Sequence, residues 1–242
     1  MKNKFKNLFK KLKIKNNEYL MLHADASFFY QFSHIDYEKT IHVFLNELIK
    51  YKKNLKILIP TFTYSFCQKK IFNVRKTLSE IGDFSNSCLK MKKFTRSMNP
   101  IFSFCTYNFK NDLKLINHNT CFGTNSVFDY FQRKEGKIIV LGTSFEKSVT
   151  FLHHIEELKQ VSYRYYKDFS GIVINEKNKK KKFKIKYFAR KKRLNKLIKD
   201  RKLSNLYQNF DCGRHKVFYI KSNILQTKCL NKLNNNELFL VS

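Results

Sequence analysis

The spacing of apolar residues changes period several times along the chain, and each change marks an element. In MKNKFKNLFKKLKIKNN, Phe5, Leu8, Phe9 and Leu12 recur at helical spacing among lysines, which predicts a short basic amphipathic helix within an N-terminal segment of residues 1–19. YLMLHA and LKILIPTFTY are compact apolar runs of strand length, and between them Ile41, Phe44, Leu45 and Leu48 form the stripe of a helix over 37–51. From Phe72 to Met98 the chain is polar and irregular, with SEIGDFSNS reading as a loop or short helix start rather than a core element, and loops of that length in compact domains are usually functional. KIIVLG predicts a strand ending at Gly142, followed by one helix of about sixteen residues over TSFEKSVTFLHHIEEL, with Thr143 or Ser144 as N-cap. Strand, glycine-containing turn and helix is the arrangement in which α/β proteins gather reactive groups.

Near the C-terminus, GIVIN and FKIKYFAR carry strand character, with Phe183, Ile185 and Tyr187 alternating with positive residues. The pattern predicts a basic β-hairpin with an Asn/Lys-rich turn, then a lysine-faced helix with Leu194, Leu197 and Ile198 inward, together spanning residues 171–202. With no internal repeat and no linker composition, residues 20–242 read as a single α/β domain that includes this hairpin and helix.

Charge alters the picture. Lys and Arg number 49 against 18 Asp and Glu, a net +31. The 43% apolar content, with 25 Phe and 13 Tyr, is enough for a core and excludes a wholly disordered chain. Heavy use of Asn, Lys, Ile and Phe with 6 Gly, 2 Pro and no Trp is also what an A/T-rich coding sequence produces. Whatever its origin, the charge attracts polyanions. Residues 176–202 hold 15 Lys/Arg against two acids, a net +13, which suits contact with an acidic membrane surface and opens a reading of another class, nucleic-acid binding. Specific nucleic-acid binding is disfavoured, because Phe183 and Tyr187 stand at strand alternation, which suits packing as well as base stacking.

No apolar run approaches the ~18 residues of a spanning helix. Lysines interrupt every apolar stretch of the first twenty residues, so a cytoplasmic location is the default expectation. The six cysteines form no Cys-x-x-Cys pair and no Cys/His cluster of metal-ligand spacing, so no metal is expected and the thiols are read as core filler. Nothing in the spacing fixes an oligomeric state.

G-x-S-x-G, Walker A and G-x-G-x-x-G patterns are missing. In TFLHHIEEL, His153 and Glu156 are three residues apart on the predicted helix, where a carboxylate can orient an imidazole and raise its basicity, as a general base requires. The same spacing occurs on many solvated helix faces, so the pair alone does not decide between the two.

Several segments taken together do. LHADASF at 22–28, PTFTYSF at 60–66, SEIG at 79–82, RSMNPIFSF at 96–104, FGTNSVFDYF at 122–131, KIIVLG at 137–142, the T-x-x-H-x-x-E of Thr150, His153 and Glu156, and YRYYKDFSG at 163–171 follow one order. In that order they resemble the aminoglycoside N3-acetyltransferase family, also called the antibiotic N-acetyltransferase family, from about residue 20 to 222. The resemblance implies an α/β fold with a mixed central sheet flanked by helices, and an enzyme that uses acetyl-CoA to acylate an amine on a sugar. It implies that His153 takes a proton from the attacking amine while Glu156 holds the ring and stabilises the imidazolium, with no covalent acyl-enzyme. Coenzyme A is expected at the turn of Ala26, Ser27 and Phe28, with Arg96 and Ser97 beside it. Asp25, Thr61, Thr63, Tyr64, Asn99, Tyr163 and Arg164 are expected to line the acceptor side.

Two departures bear on the acceptor. Drug-modifying members commonly carry His where this chain has Asn99, and YRYYKDFSG is more similar to members of surface-polysaccharide pathways. A chain at +31 suits a polyanionic nucleotide-linked amino sugar better than a polycationic drug. The expected activity is therefore N-acetylation of such a sugar, with aminoglycoside acetylation and antibiotic resistance as the alternative.

Overall fold

A computed structural model describes residues 1–33, 36–191 and 203–241. The strands are β1 Tyr19–Ala24, β2 Lys56–Pro60, β3 Ile71–Asn73, β4 Thr95–Arg96, β5 Phe104–Tyr107, β6 Lys137–Leu141, β7 Arg164–Ile174, β8 Lys180–Arg190, β9 Gln208–Cys212 and β10 His215–Lys221. The helices are α1 Lys2–Lys11, α2 Ser27–Tyr30, α3 Tyr37–Tyr51, α4 Phe66–Lys69, α5 Asp83–Leu89, α6 Val127–Arg133, α7 Phe145–Ser148, α8 Phe151–Lys159 and α9 Ser222–Asn235.

A seven-stranded sheet in the order β4-β5-β2-β1-β6-β10-β9 forms the centre. It is mixed: β1 pairs in parallel with β2 and β6, while β5 and β10 add antiparallel pairs outside them. The three parallel strands are apolar on both faces because both are covered. Met21, Leu58, Ile138 and Val140 point into one core, and their neighbours Leu20, Leu22, Ile57, Ile59, Ile139 and Leu141 into the other. This is the mixed sheet flanked by helices expected from the sequence. Three parallel strands also bring their C-terminal ends, Ala24, Pro60 and Leu141, to one rim, where open α/β sheets place their sites.

The N-terminal stripe packs at home. Phe5 and Phe9 lie 5.3 and 5.4 Å from the Phe44 ring of α3, so the apolar face of α1 is buried in its own domain. Among the described residues no helix is long and apolar enough to cross a membrane, and no group of three or more His, Cys, Asp and Glu could hold a metal ion.

Three local expectations change. The stretch 72–98 holds the end of β3, the short helix α5 that SEIGDFSNS allowed, and β4, but α5 is a core element: Phe84 and Cys88, four residues apart, turn one of its faces inward. The single helix expected over 143–158 is two. Ser144 Oγ caps α7 by accepting from the Lys147 N–H at 3.4 Å, Val149 leaves helical geometry at φ −82° and ψ 88°, and α8 restarts after Thr150. The β-branched pair Val149–Thr150 suits that break. The hairpin is longer than expected, because YRYYKDFSG is part of β7: Arg164 pairs with Arg190 and Ile174 with Lys180 in an unbroken antiparallel ladder. Together β3, β7 and β8 make a second, three-stranded sheet. The helix expected around Leu194, Leu197 and Ile198 lies outside the described residues.

Candidate active site

Helix α8 places His153 and Glu156 on one side, one turn apart, and the His153 Nδ1 to Glu156 Oε2 distance is 2.8 Å. A carboxylate only accepts, so Nδ1 carries the proton and donates it to Glu156. The side chain keeps 26% exposure, and Nε2 is the nitrogen left for a substrate. Phe122 packs edge-on at 5.7 Å from the imidazole, with Phe102 and Tyr187 behind it at 4.6 and 5.9 Å.

Glu156 is the hub. Its Oε2 also meets Arg164 Nη2 at 2.5 Å, and its Oε1 accepts from the Tyr163 hydroxyl at 2.9 Å and from Arg190 Nη2 at 3.3 Å. Arg164 Nη2 also lies 2.6 Å from His153 Nδ1, and both nitrogens meet the same carboxylate oxygen. The two arginines converge because β7 and β8 pair them directly across the ladder. Burial works against the charge of Glu156, yet His153, Arg164 and Arg190 together hold its carboxyl well below the usual carboxylate range. Burial first, and the Arg164 cation next, push the imidazole of His153 down to about 4. At neutral pH the ring is therefore uncharged with a free lone pair.

A cavity of about 210 Å³ opens at the C-terminal rim of the parallel strands, and its wall includes His23, Asp25, Tyr64, Lys147, Ser148 and Thr150. Thr150 ties it to α8, since the His153 N–H donates to the Thr150 carbonyl at 2.9 Å. His23 is buried with its Nε2 unpartnered, and burial pushes its ring down to about 3.

The remaining sequence candidates divide by what they touch. Tyr163 and Arg164 join the cluster, while Asp25 and Tyr64 line the cavity. Asp25 Oδ1 accepts from the Ser27 N–H at 2.8 Å, which closes the turn of Ala26 and Ser27; the Phe28 side chain lies wholly in the core. Arg96 is buried and donates to Ser103 Oγ, Thr63 Oγ1 and the carbonyls of Thr61 and Thr77. Ser97 Oγ accepts from the Phe104 N–H at 2.9 Å. Asn99 takes the N–H groups of Ile101 and Phe102 and donates to the Thr120 carbonyl. These last bonds knit the loops around 61, 97 and 120 together. Arg190 was hidden as one cation in the basic stretch; its pairing partner across the hairpin was the signal that could have found it. Phe122, His23 and Lys147 carried no separate signal.

The loop bearing Phe122 is pinned from α8. Gly123 sits at φ +71°, its N–H faces His154 Nδ1 at 3.2 Å, and a Cβ there would come within 2.5 Å of Glu157 Oε1. Gly123→Ala is expected to cost about 1–3 kcal/mol and to lower turnover by shifting Phe122 away from His153. Thermal unfolding and steady-state kinetics check this, and trimming the neighbour with Glu157→Ala should recover part of the loss. A glycine variant as stable and active as the parent would remove the role given to this loop.

A mixed α/β sheet with a histidine–glutamate pair on the helix that adjoins the rim cavity through Thr150 belongs here to an acetyl-CoA-dependent acyltransferase. The sequence profile of the aminoglycoside 3-N-acetyltransferase family matches residues 46–228, and the chain belongs to that family. Solved structures share the fold at low identity. The YokD protein from Bacillus subtilis is 16% identical with a TM-score of 0.76, covering 97% of this chain and 99% of that one. AAC-VIa bound to sisomicin is 12% identical with a TM-score of 0.76, covering 97% of each chain. AAC-IIIb, in a binary complex with CoASH, is 14% identical with a TM-score of 0.75, covering 97% of this chain and 96% of that one. No curated protein matches the chain.

Proposed function

We propose that the protein transfers the acetyl group of acetyl-CoA to an amine of an aminoglycoside-type amino sugar, with His153 as the base. The observation that carries this reading is the neutral, carboxylate-oriented imidazole with Nε2 left for a substrate. Acetyl-CoA supplies an activated thioester carbonyl. The rim cavity suits its thioester end: the unpartnered Nε2 of His23 is a polar atom in want of a partner, and Lys147, Thr143 and Ser148 line the same wall. As the amine nitrogen bonds to the carbonyl carbon and the C–S bond breaks, the amine proton passes to His153 Nε2 and from there to the thiolate. Glu156 stabilises the imidazolium for the time it exists. The family and the sisomicin-bound relative support an aminoglycoside as acceptor.

One observation favours a second reading, a nucleotide-linked amino sugar. Two arginines surround one carboxylate beside His153, so with the ring neutral the cluster carries +1, which favours an anionic acceptor. Thiol release from acetyl-CoA, followed with sisomicin and with a uridine-diphosphate-linked amino sugar, separates the two. The expected result is release that depends on a free amine in the acceptor. No release with either class would refute the proposed activity.

A further inference from the structure

The three-stranded sheet buries one face; the other is covered at Arg164, Phe188 and Arg190 and open toward the β7–β8 turn. Phe72, Val173, Phe183 and Ile185 point into the core. On the opposite face the register places Ile71 beside Ile172 and Ile172 beside Lys182. Lys180 and Lys184 continue the same column of β8, with successive lysines about 7 Å apart along the strand. Ile71 is 56% and Ile172 38% exposed, and these lysines are exposed too. Asp168 is the one acid among the residues of β3, β7 and β8 on this face, and it pairs with Lys184 at 2.8 Å. The face thus combines two adjacent branched aliphatic side chains on one edge with a row of cations on the other.

We infer that this face is an interaction surface for an anionic lipid bilayer. Charge complementarity and the isoleucines select that occupant. The lysines match a layer of acidic headgroups, each near-surface lysine strengthening attachment on the order of fivefold. Ile71 and Ile172 reach from the same plane toward the acyl boundary, where apolar side chains are stabilised. A nucleic acid would use the lysines but has no place for two aliphatic side chains, which neither stack on bases nor bond to phosphate. The inference is independent of the acceptor and of the chemistry at His153.

Sedimentation of the full chain with vesicles at about 0.1 M salt tests it, using phosphatidylcholine alone and phosphatidylcholine with about one third phosphatidylserine. The parent is expected to pellet with the acidic vesicles only. Lys180→Gln/Lys182→Gln/Lys184→Gln should weaken attachment roughly a hundredfold, and Ile71→Ser/Ile172→Ser about tenfold, with acyl transfer to a soluble acceptor unchanged in both. Lys50→Gln/Lys53→Gln/Lys92→Gln, a charge-matched change elsewhere on the exposed surface, should have little effect. No retention on acidic vesicles would overturn the inference, as would an equal loss in the charge-matched control. So would full retention by the isoleucine variant together with equally tight binding of a DNA oligomer, which would point to nucleic acid.

Discussion

His153→Ala is expected to lower kcat by roughly 10²–10⁴-fold, the contribution of a positioned base, while leaving the fold and coenzyme A binding as they are. The ring sits at the edge of the core with about a quarter of its surface exposed, so its removal empties little packed space. The pH profile tests the same assignment. Burial and the Arg164 cation keep the imidazole near 4, so the base stays in its active, neutral form down to about that pH. Above it, activity should climb only as the acceptor amine loses its proton, with no inflection from His153 near 6.5. An acid limb near 6.5 that vanishes in the alanine variant would show that the ring is far more basic than its surroundings allow. Stability follows the same sign. The folded state takes up this proton at a lower pH than the unfolded chain, so the contribution is complete above pH 6.5 and is lost as the pH falls toward 4. His154, pushed down to about 4 by burial, acts in the same direction.

Glu156→Gln should have the larger effect on the fold. It removes the charge that, among the described residues, neutralises Arg164 and Arg190, whose side chains are 1% and 10% exposed. Breaking a buried ion pair from one side costs about 3–5 kcal/mol, which for a chain of this size lowers Tm by roughly 10 °C. Catalysis falls as well, because the amide no longer stabilises the imidazolium and the two cations oppose its formation. Thermal unfolding and kcat measured on one preparation check both parts. Unchanged Tm would mean that solvent reaches the arginines, and the account of Glu156 as their counter-charge would fail.

How much of this was legible in the sequence differs from element to element. The apolar runs of β1, β2 and β6 and the stripe of α3 read directly, because periods of two and of three to four residues are local geometry. The pair His153 and Glu156 read as well, since three residues on a helix are one turn. The break at Val149–Thr150 did not, because periodicity passes across it and only the capping at Ser144 and the restart after Thr150 separate the two helices. Arg96 looked like an available phosphate ligand; its partners come from loops distant in sequence, and no spacing shows them. Lys180, Lys182 and Lys184 read as part of one basic stretch, whereas their place beside Ile71 and Ile172 depends on a strand that joins from about a hundred residues earlier.

By itself, then, the sequence determined the class of fold, through the order of its motifs, and also the placement of His153 and Glu156 one helical turn apart and the presence of a charged hairpin, which rest on contacts within a few residues. The tertiary structure decided that the imidazole is neutral, because that depends on burial and on Arg164 and Arg190 brought together by the β7–β8 ladder. It also decided which cations face solvent and which hold the frame, since a charged side chain's role is set by the partners that long-range packing supplies.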